Sequence, residues 1–439
     1  MATKLVYLSL YTIGLAIITW ISSKRETEGE YVNAGKDLSW TDSAWTTFAS
    51  LLTGYNFVLG VTFSYLYGFW YLMAFVGAGI AFVTLYFFYK ERLAPLQKSH
   101  DLLSIGDYFG LAYGARSKAL VNGILILGLL LFLVLQMFVN TRLFAGLLGI
   151  GKISALLATT GVVGIYLWFG GFKASVKTDI FQGILMLPIL LTIFVFPMNF
   201  TAKNIGTALD PSQFWFAVGI ALLQFFSLMG QAESFQRIFA SEDAKALKKG
   251  MIASFILLSL VAGAIAYLGI NFKLGGITGN PSDLFTDKVL GALPEWLSSM
   301  LVVSLIAAFM GTIDSSAFAL GILLARAGNP GNREIVSRTR FFMLGGIALA
   351  AASSLWLSSF LAPAFALISL ISVVGAALLA SFLFDMDKLE METFLAVGTA
   401  TFIAGIVFKF VTDNPLSSLI PIGAAFAALE TLRIIRKIS

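Results

Sequence analysis

The chain contains no cysteine, which excludes disulfides, thiolate metal sites and thiol catalysis. Histidine occurs once, as His100, so a multi-histidine metal centre or histidine proton relay is excluded too. Charge is scarce: Asp, Glu, Lys and Arg make up 12% of the 439 residues, against roughly 25% in soluble globular domains. That is about half the charge a water-facing surface needs. Long polar stretches are missing as well. The longest, about 24–42, 90–118, 235–249, 272–295 and 326–340, are too short to bury a core of their own, so an appended catalytic domain is excluded. The excess of 29 Lys and Arg over 24 Asp and Glu reads as loop bias in a membrane protein, not as a nucleic-acid-binding face.

What the chain has in abundance is apolar sequence, 58% hydrophobic and 14% aromatic. Apolar runs ended by charge, Pro or Gly clusters predict spans at about 4–22, 43–66, 69–89, 119–147, 153–169, 178–198, 213–234, 250–271, 296–325, 341–358, 361–384, 393–411 and 416–432. The expectation is an all-α polytopic membrane protein of about 13 transmembrane helices, forming one domain over residues 1–439. A β-barrel does not fit, because period-two alternation is absent and the runs are too long. The first run has no basic n-region beyond Lys4 and no small-residue cleavage site after it, so it reads as a span and not a signal peptide. The 90–118 segment is expected to hold a short interfacial helix.

Basic residues orient the spans. With the amino terminus outside, the inner loops carry 22 of the 29 Lys and Arg residues and the outer side carries 7. An odd number of spans then places the carboxyl terminus in the cytoplasm, and the protein is expected in the cytoplasmic membrane.

Three spans carry polar clusters at mid-membrane: Ser50 to Asn56 in the second, Gln224 to Gln231 in the seventh, and Gly311 to Ser316 in the ninth. Unpaired backbone groups are not tolerated in lipid, so a broken helix must line a cavity or be covered by protein. Counted from the second span, the first and sixth helices carry two of these breaks, which is the pattern of a five-plus-five inverted repeat with extra flanking helices and a midplane site. The core ten helices would then run over about 43–384. Small residues that merely allow close helix packing give the same signal at any one break.

Four stretches resemble the sodium:solute symporter family, whose members share the LeuT-type architecture. They are Glu30 to Leu38, Gly170-Gly171-Phe172 through Thr178-Asp179 to Gln182, Gly230-Gln231 with Gln236-Arg237, and Thr312-Ile313-Asp314-Ser315. The resemblance extends over about 30–410 and implies sodium-coupled uptake of a small polar solute by alternating access, with no enzymatic activity. An uncoupled or proton-coupled facilitator, or a solute-sensing receptor, is the alternative on the same fold. By position, the family's sodium site implies carbonyl ligands from Ala49, Leu52 and Ala308 and hydroxyls at 311 and 312. Thr312 supplies one, but Gly311 stands where the family usually has serine. Asp179 is a further cation candidate; an interfacial aspartate at a helix start is its bland alternative.

The resemblance places the solute beside the first break, so Tyr55, Asn56 and Gln231 are expected to face it. Gln136 is a further candidate, with Asn140 one turn away on the same face. Interhelical hydrogen bonding is the alternative for each amide. Glu233, Arg237 and Asp314 are expected to form ordinary inner-surface ion pairs, with contacts of a cytoplasmic gate as the alternative. The partners implied are a sugar, amino acid, vitamin or carboxylate, and the lipid bilayer; nucleic acid is not among them, and a functional monomer is expected.

Overall fold

The computed structural model describes residues 2–23, 27–97, 99–100, 102–197, 201, 205–326, 332–412 and 414–438. Its principal helices are α1 (Ala2–Ser23), α2 (Trp40–Leu51), α3 (Gly54–Tyr67), α4 (Met73–Phe88), α5 (Ile105–Tyr113), α6 (Ala115–Leu148), α7 (Lys152–Phe169) and α8 (Phe172–Met186). They continue with α9 (Phe214–Gly230), α10 (Ala232–Ala240), α11 (Ala244–Leu274), α12 (Glu295–Ala325), α13 (Asn332–Ser354), α14 (Leu361–Leu383), α15 (Lys388–Val407) and α16 (Ile420–Ile438). Of the basic residues used for orientation, Lys24, Arg25, Lys98 and Lys203 lie outside the described residues.

Among the described residues, 12 helical stretches are long and apolar enough to cross a membrane, where the sequence predicts about thirteen. The difference lies in one stretch, Gly54–Gln97, whose 44 residues join the second and third predicted spans. At about 1.5 Å per residue this is roughly twice the thickness of a bilayer core of about 30 Å. It turns at Gly68, whose φ of 62° ends α3 and suits glycine. Tyr71 beyond the turn comes back against Phe63, with ring centroids 6.0 Å apart. One unbroken stretch therefore makes two passages.

Two of the three polar mid-span clusters are real breaks. The second span divides into α2 and α3 around Leu52 and Thr53, and the seventh into α9 and α10 at Gln231, whose ψ of 124° is extended. The ninth is not broken: α12 runs through Gly311, Thr312 and Ser315 without interruption. Its hydroxyls are satisfied within the helix, Thr312 donating to the Ala308 carbonyl at 2.7 Å and Ser315 to that of Gly311 at 2.9 Å. Such back-bonding lets Ser and Thr sit mid-helix in an apolar setting without unwinding it.

Five consecutive crossings open with the broken helix α2/α3 and end with α8; the next five open with α9/α10 and end with α14. Because five is odd, the second set starts from the opposite face and is inverted. The packing repeats accordingly. The fifth helix of each set lies against the first half of its own broken helix, α8 on α2 and α14 on α9. The second helix of each set packs on the broken helix of the other, α4 on α9 and α11 on α2 and α3. A short helix also separates the second and third crossings in each, α5 in the first and the segment ending in Leu290–Ala292 in the second. The expected interfacial helix in 90–118 is α5, anchored by Asp107, which caps its amino end and pairs with Lys118 and Arg326.

Two groups of helices result. The broken helices pack with α4 and α11, and α6, α7, α12 and α13 pack with one another. Helix α12 is the centre, with 89% of its apolar window buried against 17% for α1 at the rim.

Candidate functional site

The first break rearranges hydrogen bonds. In a continuous helix the Ala49 carbonyl would receive the Thr53 amide, and the Leu52 carbonyl the Asn56 amide. Here Thr53 N–H donates to Leu51 O at 3.2 Å and Asn56 N–H to Thr53 O at 2.9 Å. Ala49 and Leu52 thus lose their helical donors, and both residues are fully buried. The side chain of Asn56 closes the gap: its Nδ2 donates to Leu51 O at 3.2 Å, and its Oδ1 accepts from Thr53 Oγ1 at 3.1 Å. Asn56 therefore supports the break as well as facing the space beside it.

That space is a cavity of about 170 Å³ between the broken helices, with α4, α6, α11 and α14 around it. Tyr55, Asn56 and Gln231 all line it, as the sequence leads one to expect; Ser50, Ser227 and Glu233 line it too. Gln136 does not. It and Asn140 are buried in α6, and among the described residues none partners any of their four side-chain amide atoms. Phe132, one turn before Gln136, lines the cavity and packs edge-on against Tyr55 at 6.2 Å.

On the other side of the breaks lies a buried polar network. Arg237 is 2% exposed and Asp179 is 0% exposed, and Arg237 Nη2 meets Asp179 Oδ2 at 3.1 Å. Arg237 also donates to Thr46 Oγ1 at 2.9 Å, Ser315 Oγ at 2.8 Å and the Glu233 carbonyl at 3.0 Å. Thr46 Oγ1 donates in turn to Asp179 Oδ2. Glu233 Oε1 accepts from Ser316 Oγ at 2.6 Å. Helices α2, α8, α10 and α12 are locked together by one guanidinium. The backbone adds a clasp between the entry of α2 and the end of α10, with Leu38 N–H donating to Ala240 O at 3.0 Å and Glu242 N–H to Leu38 O at 3.1 Å.

These positions correct two expectations. Arg237 and Asp314 are not inner-surface ion-pairing residues, because both are buried. Asp179 is not an interfacial residue at a helix start, since it lies in the second turn of α8 and is enclosed. The misreading arose because 235–249 looks polar from sequence, whereas α10 is an amphipathic half-helix whose Phe235, Ile238 and Phe239 are buried around Arg237.

Among the described residues, no donor reaches three acceptors near this network: Asp179 Oδ1, Gln182 Oε1 and Asp314 Oδ2. Gln182 directs its Nε2 to Tyr11 Oη at 3.1 Å, which leaves Oε1 pointing toward α12. A Cβ on Gly311 would lie 2.6 Å from Gln182 Oε1 and 3.5 Å from Asp179 Oδ1. The hydroxyl missing at 311 therefore makes way for an amide oxygen and a carboxylate oxygen from α8. Asp314, one turn along α12, accepts from Ser315 Oγ at 3.3 Å and is also fully buried. Two carboxyl groups, Asp179 and Asp314, lie buried near the one guanidinium of Arg237, so ionising both calls for a second cation. Oxygen donors of this kind suit a hard monovalent cation. Sequence reasoning missed Gln182, although its three-residue spacing from Asp179 places both on one face of α8.

Two inverted sets of five helices, each opening on a helix broken at mid-membrane beside a cavity, define a secondary transporter. The family model of the sodium:solute symporter family matches residues 31–387, and the chain belongs to that family. It is a multi-pass membrane transporter that couples a small polar solute to sodium, not an enzyme. The chain is 27% identical over 338 residues to a sodium/pantothenate symporter of Haemophilus influenzae, covering 71% of this chain and 68% of that one. It is 25% identical, with the same coverage, to the osmoregulated proline transporter OpuE of Bacillus subtilis. A solved structure of a Na+-coupled sialic acid symporter, in a substrate-bound outward-open state, superposes with a TM-score of 0.81 at 14% identity, covering 98% of both chains.

Proposed function

We propose that this symporter binds sodium where α2, α8 and α12 meet, and its solute in the cavity on the other side of the breaks. The observation that carries the cation site is that Gln182 Oε1 and Asp179 Oδ1, both without a donor among the described residues, lie against Gly311 of α12. Ala49 and Leu52 offer carbonyls released by the break, Thr312 offers a hydroxyl, and Asp179, Gln182 and Asp314 offer acceptors without donors. The Ala308 carbonyl already accepts from Thr312, so it takes part with that hydroxyl as a pair. Gln182 stands in for the hydroxyl that Gly311 lacks.

Tyr55, Asn56 and Gln231 face the solute in this reading, and Gln136 joins them once Phe132 moves aside. A cavity of about 170 Å³ is below the roughly 300–1,000 Å³ of drug-sized pockets and suits one small solute. We further propose an outside amino terminus, a cytoplasmic carboxyl terminus, residence in the cytoplasmic membrane and function as a monomer. In that orientation the Arg237 network seals the cytoplasmic side, and the cavity belongs to the outward-facing half of the cycle.

One sodium ion crossing about 100 mV contributes about 2.3 kcal/mol, and a tenfold gradient about 1.4 more. Together they support several-hundredfold solute accumulation. The direct test is uptake into proteoliposomes across a panel of amino acids, sugars and vitamins, with and without an inward sodium gradient. Uptake of at least one solute that collapses without the gradient supports the reading; uptake indifferent to sodium for every transported solute overturns it. Topology has its own test, because the chain has no native cysteine. A cysteine at Ser337 should resist impermeant thiol reagents added outside, and labelling from that side reverses the orientation.

A further inference from the structure

The cavity has a charge that neither the family nor its relatives' names account for. Glu233 is the sole charged side chain among the described residues lining it; no Lys, Arg or His is present. Its Oε1 is held by Ser316, and among the described residues it enters no ion pair. Arg237, one turn along α10, gives Glu233 nothing but a bond to its backbone carbonyl, its side-chain contacts going to Asp179, Thr46 and Ser315. The guanidinium is thus committed elsewhere. The walls around the carboxylate are aromatic, with Tyr55, Phe63, Tyr71 and Phe132 among them, and aromatic faces attract cations.

We propose that Glu233 makes this site selective for solutes carrying a protonated amine, and that it rejects solutes whose only charge is a carboxylate. The proposal rests on the cavity being the solute site. An amine would give the carboxylate charge-assisted N–H donors inside aromatic walls, a short and strong arrangement in a water-poor cavity. A lone carboxylate entering the same space meets like charge and no cationic partner. Amino acids without a net negative charge, and simple amines, fit; an anion such as pantothenate does not. Glu233 also stands at a helix end. It occupies the first turn of α10, a nine-residue helix whose amino end opens at the break, and the helix dipole favours negative charge there.

The missing cysteines allow a test that needs no knowledge of the solute. Ser227 lines the cavity, and Ser227→Cys gives the chain one thiol of nearly the same size. Its reaction rates with a methanethiosulfonate bearing a trimethylammonium and with one bearing a sulfonate are compared in sodium-containing proteoliposomes, each relative to a free small thiol. The expected preference for the cationic reagent is about tenfold above that of the free thiol, falling by about tenfold when Glu233→Gln is added. A preference equal to the free thiol's, or unchanged by Glu233→Gln, overturns the proposal while leaving the cavity accessible. Failure of both reagents to react overturns the reading of the cavity as a solute site, and this proposal with it.

Thermal stabilisation of the purified protein then compares proline, prolinamide, cyclopentanecarboxylate and pantothenate, the third being proline's skeleton with carbon in place of the amine. Stabilisation by proline or prolinamide and not by the two anions is the expected result. Stabilisation by either anion, or by none of the four, counts against an amine-selective site.

Discussion

The two ends of the broken helices are built on opposite plans. On the side of α2 and α10, the buried carboxyls of Asp179 and Asp314, one arginine and several hydroxyls form a closed network. On the side of α3 and α9, amides and aromatic rings stand around an open cavity with one carboxylate at its floor. The network contains far more polar chemistry, yet nearly all of it is spent on internal hydrogen bonds. What it leaves unspent is Gln182 Oε1 and Asp179 Oδ1 beside Gly311 and, one turn along α12, Asp314 Oδ2, the acceptors proposed to take the ion. The cavity shows the reverse, with few internal bonds and much surface for a ligand. The break lies between the two regions, and its Asn56 faces the cavity.

The largest expected effect comes from removing the guanidinium that closes the network. Arg237→Met leaves Asp179 and Asp314 buried without a cation and should destabilise the protein by about 3–5 kcal/mol, read by denaturant unfolding in detergent. A loss below about 1 kcal/mol would mean that the closed end is not held by this pair.

Next come the residues facing the ion. Thr312→Val keeps shape and removes a hydroxyl, so the sodium dependence of uptake should fall by about tenfold or more with little loss of stability. Gly311→Ser restores the residue usual in the family, but its Cβ would press on Gln182 Oε1 at 2.6 Å. Gln182 must swing away, and apparent sodium affinity should fall. Tighter sodium binding in Gly311→Ser would show that Gln182 is not standing in for the serine.

A smaller effect belongs to the break. Asn56→Ala removes the cap on Leu51 O and should cost about 1 kcal/mol of stability in addition to any loss of solute affinity. Loss of affinity with unchanged stability would assign Asn56 to the solute alone.

The smallest effect lies at the membrane edge. Burial works to raise the Asp107 carboxyl, but Arg326, Lys118 and the Leu103 amide outweigh it and hold it below the usual carboxylate range. A depressed folded value means this stabilisation is complete above the unfolded value of about 3.9 and is lost as pH falls through the folded one. The stability advantage of wild type over Asp107→Asn should thus be flat from pH 8 to 5 and shrink in acid. An advantage that grew on acidification would contradict the assignment.

How much of this could be read in the sequence differs between the two regions. Spans, two of the three breaks and the cavity positions of Tyr55, Asn56 and Gln231 were legible because apolar length, Thr-Gly-Asn and Gly-Gln clusters are local signals. The closed network was not, because it joins Thr46, Asp179, Arg237 and Ser315 from four helices, and α10 reads as a polar loop until its buried phenylalanines are seen. The ninth span misled for a related reason: Thr312 and Ser315 look like a break but bond to their own helix. Gln182 stood inside the most specific family stretch without a role, since only the packing of α8 on α12 brings its oxygen to Gly311.

Sodium binding by the unspent oxygens of Asp179, Gln182 and Asp314 is the proposal most open to a direct test. It is tested by following the unfolding temperature of the purified protein as sodium replaces potassium at constant ionic strength, in wild type and in Asp314→Asn. A ligand that binds the folded state alone must raise its stability. A saturable rise in wild type and a loss of that rise in Asp314→Asn are expected. A flat wild-type curve, or an equal rise in both proteins, would contradict it.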